Sequence, residues 1–214
     1  MTSTLTNTLV IPSPSGLATG LNYYVYPSTL DYDYADPGFS APAFNNPNYT
    51  YSSFLSDVDS LQTYDYGSGS TTCYLPPSYS PAIDCAYIVI VMQGYFYAAA
   101  GAGTYTIYTP DTIDNALYFW SGAAAYSQYT NSNTAYQAVR AGTGPFTAGT
   151  TTLTLAEFEL VPVTIMWVNG GGIGAAFMSV QDPAGNLYDE DTSGFFLPAD
   201  DQGSCPGLVS PFSP

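Results

Sequence analysis

The chain has 214 residues, with 17 Asp and Glu against one basic side chain, Arg140, and no His, for a formal net charge of −16. A lone Arg cannot offset nucleic acid or a polyphosphate, and without His there is no Ser-His-Asp or Cys-His nucleophile and no His-ligated zinc. What remains is chemistry done with carboxylate, amide, hydroxyl and backbone carbonyl oxygens, the ligands that hard cations such as calcium prefer.

Hydrophobic residues make up 46% of the chain, enough for a sizeable core, and a single domain over residues 1–214 is the expectation at this length. The 21 Tyr favour strands, while 20 Gly and 17 Pro punctuate turns. Thr4 to Ile11 reads as a polar-alternating strand that Pro12, Pro14 and Gly16 end. Leu21 to Tyr26 is a second strand, stopped by Pro27. Residues 27–84 are irregular and rich in Tyr, Asp, Ser and Pro. So long a stretch without pattern signals function or hidden short strands. Asp57 to Leu61 reads as a helical turn.

The run from Ala86 to Ala98 is almost continuously apolar, as in a strand buried on both faces. Gly101-Ala102-Gly103 turns the chain into an alternating strand, Thr104 to Tyr108, and a further strand covers Asn115 to Trp120. Residues 121–150 read as loops with a short strand near Ala135 to Val139. Two strands follow, Thr151 to Leu160 and Val163 to Val168, with Pro162 as the predicted break. Asn169 to Gly172 is a glycine-rich turn, Ala175 to Val180 a strand, and Asp182 to Asn186 a hairpin turn. Many short strands separated by turn signals define an all-β fold, an antiparallel β-sandwich.

No apolar run reaches the roughly 18 residues of a membrane span, so no direct membrane insertion is expected. Met1 to Thr4 lacks the basic start and apolar core of a signal peptide, yet the low charge content and the closely spaced Cys73 and Cys85 point to a secreted chain. In an oxidising compartment Cys73 and Cys85 are the expected disulfide, and Cys205 is then the odd thiol.

Two loops carry candidate chemistry. Thr112 to Ala116 and Trp167 to Ile173 each put a carboxylate or amide at a strand end, where sandwich loops cluster. Asp114, Asn115 and Asn169 offer side-chain oxygens, and Gly170, Gly171 and Gly172 can expose backbone carbonyls. The same residue types are ordinary turn formers, and spacing alone leaves both readings open. Trp120 and Trp167 are candidates for stacking on a sugar or for the core. Glu157 with Glu159, and Asp189 to Asp191, are the carboxylates a glycosidase reading would use. Both groups read as solvated charge, so no enzyme is expected.

Four segments, in consistent order across about residues 16–205, resemble the fungal GLEYA and flocculin-type adhesin domains, a lectin branch of the β-sandwich of anthrax protective antigen. They are Gly20 to Tyr26 (GLNYYVY), Gln93 to Tyr97 with Gly103 to Ile107 (QGYFY and GTYTI), Ile113 to Leu117 ahead of Trp120, and Val161 to Asn169 running on to Asp182-Pro183-Ala184-Gly185. The resemblance implies a metal site in which Asp114 and Asn115 take the place of the family's calcium-binding Asp pair and Asn169 that of a later Asn. Gly171 and Ile173 would add backbone carbonyls. Asp114, Asn115, Asn169, Gly170, Gly172 and Ile173 would meet the ligand, with Ile173 where the family tunes sugar choice. Two departures stand out: the second Asp is Asn115, and Thr164 replaces an Arg, which implies a smaller sugar-contacting wall. The resemblance thus implies Ca2+ as cofactor, terminal hexose or hexosamine glycans on neighbouring or host cells as partners, and a cell-wall or cell-surface location. A structural, self-associating surface protein of the same fold is the alternative.

Overall fold

A computed structural model describes residues 9–10, 19–28, 39–58, 61, 72–75, 82–113, 115–125, 128–139, 146–170, 174–189 and 191–199. Fourteen strands occur among them. In chain order they are β1 (Leu9–Val10), β2 (Leu21–Pro27), β3 (Tyr51–Leu55), β4 (Thr72–Tyr74), β5 (Ala82–Asp84), β6 (Ile88–Tyr97), β7 (Gly103–Thr109), β8 (Ala116–Ser121), β9 (Tyr136–Val139), β10 (Gly149–Leu155), β11 (Glu159–Asn169), β12 (Ser179–Gln181), β13 (Leu187–Tyr188) and β14 (Phe196–Pro198). An eight-stranded sheet runs β3-β2-β6-β11-β8-β9, with β1 added beside β11 and β14 beside β6. A four-stranded sheet runs β10-β7-β12-β13, and β4 and β5 pair as a separate ribbon. Every recorded pairing is antiparallel.

The strands of the large sheet alternate between two apolar faces. Tyr23, Ile90, Met92, Phe96, Phe119, Ile165 and Trp167 meet Tyr105, Ile107 and Val180 of the small sheet and Met178 just before β12, and this is the sandwich core. The opposite parity, Tyr24, Tyr26, Val91, Tyr118, Trp120 and Met166, forms a second core on the outer face. It is covered by Phe39, Ala41 and Phe44 from one irregular segment and by Ala125 and Tyr129 from another. Hydrogen bonds tie the two covers together. Asn131 accepts from Ala41 N and donates to Phe39 O, each at 2.7 Å, and Tyr129 OH donates to Phe44 O at 3.0 Å. Trp120 Nε1 donates to Thr130 O at 2.9 Å, so the indole is packed and its polar atom satisfied. All ten residues of β6 are buried, as its unbroken apolar run requires.

The motif glycines Gly20 and Gly94 are packing features. Gly20 has φ of 128°, and a Cβ there would strike Leu55 O. A Cβ on Gly94 would strike Leu197 O, so only glycine lets β14 lie against β6.

Three sequence expectations need correction. Pro162 does not break a strand: β11 runs through it, pairing Pro162 with Tyr95. On its other edge β11 meets β1 at Glu159 and Leu160 and β8 only from Val163 onward, so Pro162 falls in the gap where a missing N–H is tolerated. The real break is the turn at 156–158, where Phe158 has φ of 62° and Glu159 Oε2 accepts from Ala156 N at 2.7 Å. Glu157 is therefore in that turn rather than beside Glu159 on one strand face. The strand predicted from Ala175 shortens to β12, preceded by a bridge at Ala175. In the 27–84 segment, β3 pairs with β2 and the β4–β5 ribbon forms, so short strands were indeed hidden there. At Val58 a single turn closes, with Leu61 N donating to Val58 O at 3.0 Å.

Candidate functional site

The site is built at one end of the sandwich. In the β8–β11 register Ala116 pairs with Val168 and Leu117 with Trp167. Asn115 N donates to Val168 O at 2.9 Å, and the next step of that register sets Asn115 across from Asn169. Asn169 in turn pairs with Ile88 of β6, and Ile88 with Pro27 of β2. Four strand ends thus form one row. By alternation Asn115 and Asn169 lie on the parity of Leu117 and Trp167, the face turned toward the small sheet. The two amides cap the open end of the core, one layer beyond Trp167.

Both are held firmly. Asn115 is 4% exposed and Asn169 is fully buried. Asn115 Oδ1 accepts from Gly170 N at 2.6 Å, which clips the loop after β11 to the loop before β8. Asn169 Nδ2 donates to Cys85 O at 2.6 Å, which fixes its amide plane and ties β11 to the turn before β6. Ile113, fully buried, plugs the inter-sheet core and anchors the 110–115 loop, with its N–H donating to Pro110 O at 3.3 Å. Asn115 and Asn169 are neutral oxygen donors, and the sequence supplies a carboxylate, Asp114, immediately before Asn115. This donor set is of the oxygen class a hard cation takes. Asp114, Gly171, Gly172 and Ile173 lie outside the described residues, as do Glu190, Arg140, Cys205 and the side chain of Cys73.

Other expectations are redistributed. Trp120 and Trp167 are both fully buried and serve the outer and inner cores, so neither offers a face to a sugar. Thr164, at the position of the family's Arg, is not part of a sugar-contacting wall. It is fully buried in mid-β11, where Oγ1 accepts from Gln93 Nε2 at 3.1 Å and donates to Ala125 O. Asp191 Oδ1 accepts from Ser193 N, and Thr192 Oγ1 donates to Asp57 Oδ1, so that stretch is a tied turn.

Tyr87 was missed. It precedes Ile88, the partner of Asn169, is 40% exposed, and has φ of 58°, a rare backbone conformation for a bulky residue. Ser28 N donates to Tyr87 O at 2.6 Å and holds it there. Nothing in the apolar run starting at Ala86 marks this tyrosine as different, because the signal is a backbone angle.

At the opposite end of the small sheet, beside Gly103, the hairpin turn at Asp182 is as predicted. Asp182 Oδ1 accepts from Ala184 N and Asn186 N, each at 2.9 Å, while Oδ2 accepts from Asn186 Nδ2 at 2.8 Å and Tyr188 OH at 3.3 Å. The Asn186 side-chain bond, with the backbone bonds behind it, lowers the carboxyl below its ordinary range. Burial, reinforced by Asp182, raises the Tyr188 hydroxyl.

The architecture is that of a PA14-type β-sandwich. The A domain of epithelial adhesin 9 from Candida glabrata, solved in complex with Galb1-4GlcNAc, matches with a TM-score of 0.65 at 19% identity, over 91% of this chain and 96% of that one. Epithelial adhesin 6 A domain from the same organism, in complex with Galb1-3GlcNAc, matches with a TM-score of 0.61 at 19% identity, over 94% of this chain and 96% of that one. The PA14 sugar-binding domain of an RTX adhesin matches with a TM-score of 0.52 at 14% identity, over 84% of this chain and 98% of that one. No curated protein matches the chain. The GLEYA domain model matches residues 88–182, in agreement with the resemblance read from the sequence. The GYFY, Ile113–Leu117 and Val161–Asn169 segments fall inside that range. Gly20 to Tyr26 lies before it, in β2, alongside β6.

Proposed function

We propose that this chain is a non-enzymatic, carbohydrate-binding adhesin domain that grips terminal hexose or hexosamine hydroxyls through calcium at the Asn115–Asn169 end. The observation that carries the reading is the bond from Gly170 N to Asn115 Oδ1, which brings the two loops of the resemblance into one site across β8 and β11. Asp114 supplies the charge, Asn115 and Asn169 supply amide oxygens, and Gly171 and Ile173 supply carbonyls. Calcium, when bound, offers open positions that two vicinal sugar hydroxyls fill. Gly170, Gly172 and Ile173 border the sugar, and exposed Tyr87 offers a ring face at the same end. Replacing a second carboxylate by Asn115 removes a unit of ligand charge and so weakens the metal.

A Cys73–Cys85 disulfide belongs to this proposal. Cys73 lies opposite Ile83 in the β4–β5 ribbon, and buried Cys85 follows that ribbon directly. The bridge would hold in place the carbonyl that receives Asn169 Nδ2. It fits a single secreted, cell-surface or cell-wall domain over residues 1–214. Among the described residues no helix is long and apolar enough to cross a membrane.

A glycan array probed in saturating calcium and again with chelator tests the reading. Wild type should bind a set of terminal-hexose or hexosamine glycans in a calcium-dependent way, and Asp114→Ala should lose calcium and that calcium-dependent binding together. Absence of calcium-dependent binding to every glycan, or retention of that calcium-dependent binding by Asp114→Ala, would overturn it. Self-association without any glycan signal would favour the structural alternative.

A further inference from the structure

The outer face of the four-stranded sheet holds a groove of about 520 Å³, well away from the buried outer face of the large sheet. It lies within the roughly 300–1,000 Å³ of ordinary small-ligand sites. The strand register lays out its floor. Tyr108 of β7 stands between Thr150 of β10 and Ser179 of β12, and Thr106 stands beside Gln181, which pairs with Leu187. Tyr108 is 40% exposed and Phe177 is 37% exposed, while Met178 beneath them is buried in the core. Two ring faces are therefore offered to solvent among hydroxyls and one amide, with the carboxylate of Asp189 on the wall.

This chemistry selects its occupant. Aromatic faces take the apolar side of a pyranose, and hydroxyl, amide and carboxylate groups bond its hydroxyls, the carboxylate most strongly. No basic side chain lines the groove, and the chain carries a net charge of −16, so uronic acids, sulfated glycans and phosphates are repelled. A second copy of the chain brings the same charge and the same Asp189, which disfavours pairing through this face. We propose that the groove is a second glycan site that takes a neutral oligosaccharide without calcium; Pro110 and Thr112 on its wall belong to the 110–115 loop, so it adjoins the Asn115–Asn169 end without using that end's oxygens.

The test uses Asp114→Ala protein in excess chelator, so that failure of the calcium site and failure of the groove are read apart. Laminarihexaose, cellohexaose and α-1,6-mannohexaose are titrated in turn by calorimetry and by amide NMR. At least one should bind and shift Tyr108, Phe177 and Gln181. Tyr108→Ala and Phe177→Ala should each weaken it by about tenfold, the scale of one lost ring contact. Gln181→Ala, at an exposed position, should weaken it less and serves as the variant least able to disturb the fold. A hyaluronan hexasaccharide should not bind. The proposal is overturned if none of the three neutral hexaoses binds, if Tyr108→Ala binds as well as its parent, or if Tyr108→Ala instead disperses a dimer.

Discussion

On the large sheet the outer face is sealed by Phe39, Phe44 and Tyr129, which pack over Tyr24, Tyr118 and Trp120. On the small sheet the corresponding face leaves Tyr108, Phe177 and Leu187 at 40%, 37% and 59% exposure. Similar residue types thus do opposite work on the two sides of one sandwich. Aromatics on the large sheet are structural because two irregular segments, tied by Asn131 and Tyr129, bury them. Those on the small sheet have no such cover among the described residues. The proposed ligand contacts lie on that face and at the strand ends of Asn115 and Asn169.

The comparison can be broken by substitution. Trp120→Ala should cost about 4 kcal/mol in urea unfolding, the range for emptying a large aromatic site. A cost near that of a surface residue would mean that the covering segments do not form a core. A smaller effect is expected at Asp182. Its folded carboxyl is lowered, so its stabilisation is complete above the ordinary aspartate range and fades as pH falls through the depressed value. Thermal melts of wild type and Asp182→Asn should therefore differ at neutral pH and converge in acid. A gap that is constant or widens in acid would contradict the hydrogen-bond origin of the shift. The smallest effect belongs to Phe177→Ala, which should change stability by only about 0.5 kcal/mol, as surface substitutions do. A cost matching Trp120→Ala would show that the open face is in fact part of the core.

Much of the scaffold was readable because it is periodic. The apolar run became β6, the alternating Thr104–Tyr108 stretch became β7, and the Asp182 turn closed as its residues predict. What failed was not periodic. The cover of the outer face comes from the 27–84 and 121–150 segments, whose aromatics follow no strand period and are placed by side-chain to backbone bonds across 85 to 92 residues. Pro162 misled because its tolerance depends on which neighbour strand stops where. At the candidate site, Asn115 and Asn169 could be named from turn residues and family resemblance, and their adjacency follows from a register that only strand pairing supplies. The tryptophans of β8 and β11 offered no sequence cue that separates stacking from burial. Tyr87 gave no cue either, because its position depends on a left-handed backbone.

The central claim is a calcium site at the Asn115–Asn169 end, and a crystal structure of the protein soaked in calcium reads its ligands directly. The account predicts an ion between the 110–115 loop and the loop after β11, with oxygens of Asp114, Asn115 and Asn169 at about 2.3–2.6 Å. A calcium ion bound only elsewhere, or none at this end in saturating calcium, would contradict it.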